Sequence, residues 1–412
     1  MRIGIDGGCL ANRRGFGRFA REMVAALAAA DSGHEFVVFL DRPSAEHVTV
    51  PASLETILVD VRVAPSVAAA ASGRRSIGDM LAMGRAVARG GLDAIYFPAS
   101  YSFFPVWNAG KVVVTMHDTL ALAHPEWVFP GGKGRLAWRL KEAVAARRAD
   151  RIVTVSQAAR RDLAAWYRLP EGRIHVVTEG PDPAFGPIGN DGEADAAAAR
   201  FGLVPRSPYL LYVGGLSPHK NLPRLIEAFG RSGAASRGVG LVLVGDFADV
   251  FHTHIAELRD LVDRLDLGAA VRFTGFVPDG DLAHLYRRAL ALVQPSLMEG
   301  FGLPPVEAMT SGTPVLCSRA GSLPEVVGPA GRFFDPTRVD EMAGVIAELL
   351  ADPAARDRLA GLAREQARQF SWSKAAELLL DCFATLEPSR SRARRPASRP
   401  MAARREPAAR DD

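Results

Sequence analysis

The sequence is poor in cysteine: Cys9, Cys317 and Cys382 are three in 412 residues, odd in number and far apart. That excludes a disulfide framework and a zinc cluster. It also lacks any apolar run near the ~20 residues a membrane-spanning helix needs, which excludes a helical channel or transporter. The opening residues, MRIGIDGG, lack the basic-then-apolar pattern of a secretory leader and read as the entry to a strand. A cytoplasmic protein is expected. Hydrophobic content of 48% and aromatic content of 8% suit a soluble globular chain. At 412 residues it exceeds one ordinary core, and two domains of similar size are expected.

An excess of charge of one sign is also missing, except at the C-terminal end. Residues 388–412, PSRSRARRPASRPMAARREPAARDD, carry eight arginines against three acids, a net of +5. The whole chain is +4, so residues 1–387 sum to −1. The basic character belongs to a Pro/Arg/Ala/Ser-rich tail that cannot bury a core and reads as disordered. A solvated tail is expected, with no nucleic-acid partner.

What is present is alternation. RIGID (2–6), FVVFL (36–40), AIYF (94–97), VVVTM (112–116), IVTV (152–155) and IHVV (174–177) form one series of strand candidates. YLLYVG (209–214), LVLVG (241–245), VRFTG (271–275), ALVQP (291–295) and PVLCS (314–318) form a second. Amphipathic stretches such as FAREMVAALAAA and LKEAVAARRA lie between them. Strands alternating with helices predict an α/β protein with two doubly wound parallel sheets facing a cleft. A Gly/Pro/Asp/Ala-rich joint, FGPIGNDGEADAAAARFGLVPRSP, separates the series. The expected division is 1–187 and 188–370 for the two domains, 371–387 for a closing helix, and 388–412 for the tail. Ligands in such folds sit at the C-terminal ends of strands.

One such end is MEGFGLPPVEAMTSGTPVL (298–316). Pro304 and Pro305 fit the first turn of a helix, where proline gives up no needed hydrogen bond. Gly300 and Gly302 let backbone N–H groups approach a ligand, and the helix N-terminus favours an anion. Glu299 and Glu307 beside an anion make sense when they accept from hydroxyls instead. A sugar nucleotide offers both. The alternative is a solvated loop glutamate and a helix glutamate serving its own N-terminus.

These residues resemble the retaining GT-B glycosyltransferases of family 4, also called group 1, in their mannosyltransferase-like branch. EGFGLPPVE matches that family's Glu, seven residues, Glu hallmark. YVGGLSPHKNLPRLIEAF, LVLVGD, RFTGFVPDGDLAHLY and AGSLPEVVG match its other donor-domain blocks in order, and VVVTMHDTLALAHPEW and ADRIVTVSQAARRDL match its first domain. The resemblance covers residue 1 to about 385. It implies a GT-B fold of two Rossmann-like domains, the first for the acceptor and the second for the nucleotide sugar. It implies transfer of a hexosyl unit from GDP-mannose or a UDP-sugar to a saccharide or lipid-linked acceptor in polysaccharide or glycoconjugate biosynthesis. No cofactor or metal is implied.

The same resemblance assigns roles. Lys220 in SPHKN meets the diphosphate, Glu299 the hydroxyls of the transferred sugar and Glu307 the ribose. His117 in TMHDT positions the donor sugar. The donor-binding set is Gly15, Gly17, His219, Lys220, Glu299, Gly300, Phe301, Gly302, Leu303 and Glu307, with catalytic roles for His117, Lys220 and Glu299. The chain departs from the pattern in having Gly215 and His219 where relatives carry an arginine. His219, protonated beside a diphosphate, is expected to replace that cation. Arg13, Arg14 or Arg18 from the first domain is the alternative.

Other readings stay open. Gly15, Gly17 and Ala20 in NRRGFGRFARE fit G-x-G-x-x-A, with Asp41 after the next strand, as in an NAD-dependent oxidoreductase. Against it, the glycines follow RIGID by some nine residues instead of lying in its turn; a Gly-rich loop reaching the donor phosphates fits better. A sugar-nucleotide hydrolase or epimerase on the same fold, or a non-catalytic nucleotide binder, is also compatible. Asp279 and Asp281 mimic a metal-binding D-x-D, but a helix N-cap before LAHLYRRAL is expected. YFPASYSFFPVW (96–107) supplies either a stacking surface for the acceptor or core residues. RLAWRLKEAVAARR (135–148) is either a solvated helix or a peripheral contact with the inner face of a membrane.

Overall fold

The computed structural model describes residues 1–12, 15–63, 76–129, 132–186, 191–246 and 255–386. Arg13, Arg14, residues 187–190 of the joint and the 388–412 tail lie outside them. Among the described residues, thirteen strands form two all-parallel sheets. The first runs β3-β2-β1-β4-β5-β6-β7, from β1 (Arg2–Asp6), β2 (Glu35–Asp41), β3 (Glu55–Val59), β4 (Ala94–Phe97), β5 (Lys111–Thr115), β6 (Arg151–Thr154) and β7 (Ile174–Val176). The second runs β10-β9-β8-β11-β12-β13, from β8 (Tyr209–Val213), β9 (Gly240–Val244), β10 (Val271–Gly275), β11 (Ala291–Gln294), β12 (Val315–Ser318) and β13 (Gly331–Phe334).

Central strands such as β8 and β12 are buried along their whole length, which is why they read as unbroken apolar runs. Strand order reverses between β1 and β4 and again between β8 and β11. Such reversals open a crevice at the strands' C-terminal ends, and both domains therefore turn a crevice toward the functional residues.

Two strands were not expected from the pattern, and both are sheet edges. β3 (ETILV) is largely solvent-facing, and β13 (GRFF) is short, with an exposed arginine and a leading glycine. The helix Gly15–Ala29 begins earlier than the loop reading of residues 12–22 supposed, so Gly15 and Gly17 lie in its first turn. A Cβ on Gly17 would meet the Asn12 carbonyl oxygen at 2.0 Å, so its role is close packing at the helix entry.

The helix Trp372–Ala384 starts at Ser371, whose hydroxyl accepts from the Lys374 amide. It packs on the first domain: Phe383 meets Tyr96 edge-on at 5.8 Å, Trp372 meets Phe19 at 5.8 Å, and Arg151 donates to the Thr385 hydroxyl at 2.9 Å. This helix returns to the sheet that holds the first strand.

Candidate functional site

The loop after β11 is built around one carboxylate. Lys220 Nζ lies 2.7 Å from Glu299 Oε1, and the same oxygen accepts from Ser296 Oγ at 2.6 Å and Gln294 Nε2 at 2.9 Å. Burial alone pushes the Glu299 carboxyl up, but the charge of Lys220 and the bonds from Lys220 and Ser296 more than reverse it. The group stays ionised below the usual carboxylate range. Lys220 comes from the turn Pro218–Lys220 after β8, so strands on both sides of the crevice contribute to the pair. Ser322 ties the loop down by donating to the carbonyls of Glu299 (3.2 Å) and Phe301 (2.6 Å).

Glu307, in the helix Leu303–Thr310, is the second buried carboxylate. Arg18 reaches across from the first domain and donates to Glu307 Oε1 at 2.8 Å and to Asp279 Oδ2 at 2.6 Å; Asp182 lies 3.7 Å away. Tyr286 donates to Glu307 Oε2 at 2.9 Å. Burial still dominates: the Glu307 carboxyl is pushed up to about 7, with Arg18 and Tyr286 pulling it back only in part.

His117 follows β5 at the same crevice. Its Nε2 donates to the Pro98 carbonyl at 3.2 Å, its Nδ1 lies 3.7 Å from Glu179 Oε1, and Phe19 packs edge-on at 4.8 Å. The two domains touch at its main chain. A Cβ on Gly300 would fall 2.7 Å from the His117 carbonyl oxygen, and Ser156 Oγ donates to the Gly300 carbonyl at 2.6 Å. Gly302 has φ +105°, a conformation glycine alone adopts readily. Thus Gly300 serves domain contact and Gly302 serves the turn.

His219 sits between Lys220 and Trp127, whose ring stacks over it at 6.5 Å, and its Nδ1 faces Ser217 Oγ at 3.2 Å. Burial and then the neighbouring Lys220 charge drive its imidazole down to about 3. Without a neighbouring anion its imidazole is neutral at pH 7, and the expected cation requires a diphosphate beside it.

The structure thus brings His117, His219, Lys220, Glu299, Gly300, Gly302 and Glu307 together. Phe301 is turned inward, edge-on to Phe370 at 5.6 Å, and Leu303 packs against the same core, so their side chains are structural. Asp279 is not a cap: Pro278 holds that position, and Asp279 is the first residue of the helix Asp279–Arg288, paired with Arg18. The aromatic stretch divides. Phe103 and Phe104 are core, while Tyr101 stacks on Phe16 at 4.3 Å. Sequence reasoning missed Tyr286 and Glu179, since a lone Tyr in an amphipathic helix and a Glu after a strand carry no signal until the fold places them. For Asp118, the HD pair was visible.

Two parallel sheets with opposed crevices, and a Lys–Glu pair at the switch point of the second, define a GT-B glycosyltransferase. The model for glycosyl transferases group 1 matches residues 195–366, and that for glycosyltransferase family 4 matches residues 13–185. The chain is 33% identical to O-antigen chain mannosyltransferase B of Escherichia coli over 69% of its own length and 73% of that protein's. It is 30% identical to the serotype-specific mannosyltransferase WbdA of Escherichia coli over 67% of its length, but spans only 34% of WbdA. Sucrose-phosphate synthase of Thermosynechococcus elongatus superposes with a TM-score of 0.72 at 24% identity, covering 94% of this chain and 99% of the other. The chain belongs to the family 4, or group 1, glycosyltransferases.

Because Glu307 binds its proton more tightly in the fold than in the unfolded chain, ionising it costs stability as pH rises from about 4.5 to about 7. At 1.36 kcal/mol per pH unit the cost approaches ~3 kcal/mol. Urea denaturation of the wild type against Glu307→Gln should show the wild type losing up to about that much relative to the variant between pH 5 and pH 8. Arg18→Ala should enlarge the loss. Parallel pH profiles for wild type and Glu307→Gln would mean that Arg18 fully compensates the buried charge.

Proposed function

We propose that the protein transfers a hexosyl unit, with mannose favoured, from a nucleotide-diphosphate sugar to a saccharide or lipid-linked acceptor, with retained configuration and no metal. The reading rests on the buried Lys220–Glu299 pair at the β8/β11 switch point. A diphosphate draws Lys220, and the hydroxyls of the attached sugar supply the hydrogen bonds Glu299 then needs. The C1–O bond to phosphate breaks as the acceptor oxygen bonds C1 on the same face, and the acceptor proton passes to the departing phosphate oxygen. His117 and the EGFG loop position the sugar; Glu307 takes the ribose, with Arg18 and Tyr286 yielding part of their bonding. The first turn of the helix Gly15–Ala29 faces the donor phosphates. Mannose, and a place in polysaccharide synthesis, follow from the likeness to the O-antigen chain mannosyltransferase.

Calorimetric titration with GDP, UDP and NAD, with EDTA present, tests the donor site. One nucleoside diphosphate should bind without metal, and Glu307→Ala should weaken it roughly tenfold or more. Binding of NAD alone, indifferent to the mutation, would restore the oxidoreductase reading through Gly15, Gly17 and Ala20. Turnover of the donor at full rate without acceptor would make the enzyme a hydrolase or epimerase.

His219 can act as a cation only when ligand binds. Lifting it from about 3 to above neutrality costs about 5 kcal/mol, against the ~8 kcal/mol that two phosphate charges at ~4 Å supply at an effective dielectric of ~20. The balance favours uptake of up to one proton per diphosphate bound at pH 7. Titrations in buffers of different ionisation enthalpy should show that uptake, and His219→Arg should abolish it together with a fall of turnover above neutral pH. Zero uptake in the wild type would leave His219 a neutral hydrogen-bond donor.

Peripheral membrane contact is the proposed role of the helix Gly132–Arg148, where Leu136 and Leu140 are 70% and 65% exposed beside Arg135 and Arg139. Co-sedimentation with anionic vesicles, lost in Leu136→Glu/Leu140→Glu, is expected. Equal sedimentation of the double variant would assign this face to solvent.

A further inference from the structure

Beneath His117 the first domain encloses a small cavity lined by Ser100, Tyr101, His117, Asp118, Trp138 and Glu142, with a volume of about 20 Å³. That is room for one water or one hydroxyl group. Its chemistry is unusual for a core. Glu142 is only 5% exposed, and its Oε1 accepts no hydrogen bond; the nearest cation, Lys141 Nζ, is 3.6 Å away. A buried carboxylate oxygen without a donor is costly. Burial pushes the Glu142 carboxyl up, with Lys141 and Ser100 pulling it back only in part. Asp118 beside it is likewise raised by burial, while its Oδ1 is occupied by the Leu120 amide at 2.8 Å.

The wall of the cavity is aromatic. Tyr101 stacks on Phe16 at 4.3 Å with planes 7° apart and meets Trp138 at 4.8 Å, and Lys141 lies over the Trp138 ring at 3.7 Å. Asp118 also lies within the electrostatic reach of both Lys220 and Glu299, so the cavity borders the cleft where the donor sugar is read.

We propose that this cavity is the acceptor subsite and takes a neutral saccharide, with Glu142 accepting a hydrogen bond from a hydroxyl that does not react. The inference deepens the proposed glycosyl transfer and rests on it. A phosphate group is repelled by Glu142 and Asp118. A lipid chain leaves Glu142 Oε1 without a donor. A saccharide satisfies the carboxylate, one of its hydroxyls filling the cavity beside Glu142. Glu142 is then a positioning residue: it fixes which acceptor oxygen points at the donor carbon, and no proton passes through it.

The test uses the full chain, GDP-mannose and UDP-glucose as donors, and methyl α-mannoside with its four monodeoxy analogues as acceptors. One deoxy analogue should raise the acceptor KM of the wild type roughly tenfold. Glu142→Ala should raise the acceptor KM for the parent mannoside by a similar factor, leave the donor KM unchanged and become indifferent to that deoxygenation. Glu142→Gln, which keeps an accepting oxygen, should recover most of the loss. GDP binding by calorimetry shows whether each variant is folded; if Glu142→Ala is not, the comparison passes to Glu142→Leu. A variant that keeps the full deoxygenation penalty overturns the assignment. So does a wild type that binds GDP but transfers to none of these mannosides, with the donor reading left standing. Failure to bind any nucleoside diphosphate takes the donor reading down as well.

Discussion

A buried carboxylate needs a cation, and this cleft contains two such debts. Glu299 is held by Lys220 and Glu307 by Arg18, at 2.7 and 2.8 Å. Removing the partner of a buried charge costs ~3–5 kcal/mol, because the charge left behind has no water to turn to. A ligand that merely pulls Lys220 away is therefore resisted. One that brings hydroxyls along with its anion is accepted, since the hydroxyls replace what Glu299 loses. On the proposed donor reading, the constraint would favour a sugar attached to a diphosphate over a free diphosphate.

The same constraint explains the missing arginine. With Gly215 and His219 in place of a permanent cation, Lys220 alone offsets Glu299. His219, driven neutral by burial and by Lys220 itself, adds no charge to the empty cleft. A fixed arginine there would have left an excess of positive charge without ligand. On the proposed reading, a titratable group avoids that excess, since its charge would wait for phosphate oxygens beside it. Trp127, from the first domain, lies near-parallel to the His219 ring at 6.5 Å.

Much of this was legible in the chain. Eleven of the strands announced themselves as apolar runs because parallel strands are buried on both faces. β3 and β13 did not, since an edge strand has one exposed side and its charged or glycine residues break the run. EGFGLPPVE was readable as a site because its glycines and prolines have narrow uses. Its details were less so. Gly300 also allows the approach of the His117 carbonyl, and Asp279 pairs with an arginine 261 positions away. Local sequence carries local geometry; partners across a cleft belong to the tertiary fold.

The cross-cleft contacts are also what make the cleft a single site. Arg18 binds Glu307 and Asp279, Gly300 rests on the His117 carbonyl and accepts from Ser156, and Glu325 accepts from the Gln157 amide at 2.8 Å. Each joins a residue at the end of a first-domain strand or helix to the donor-side loops. All of them converge on the EGFG loop and the helices beside it. A donor that moves Lys220 and Glu299 therefore also moves the loop on which His117 rests, and with it the wall of the cavity beneath. A Cβ at position 300 would fall 2.7 Å from the His117 carbonyl oxygen, and that is why no bulkier residue fits there.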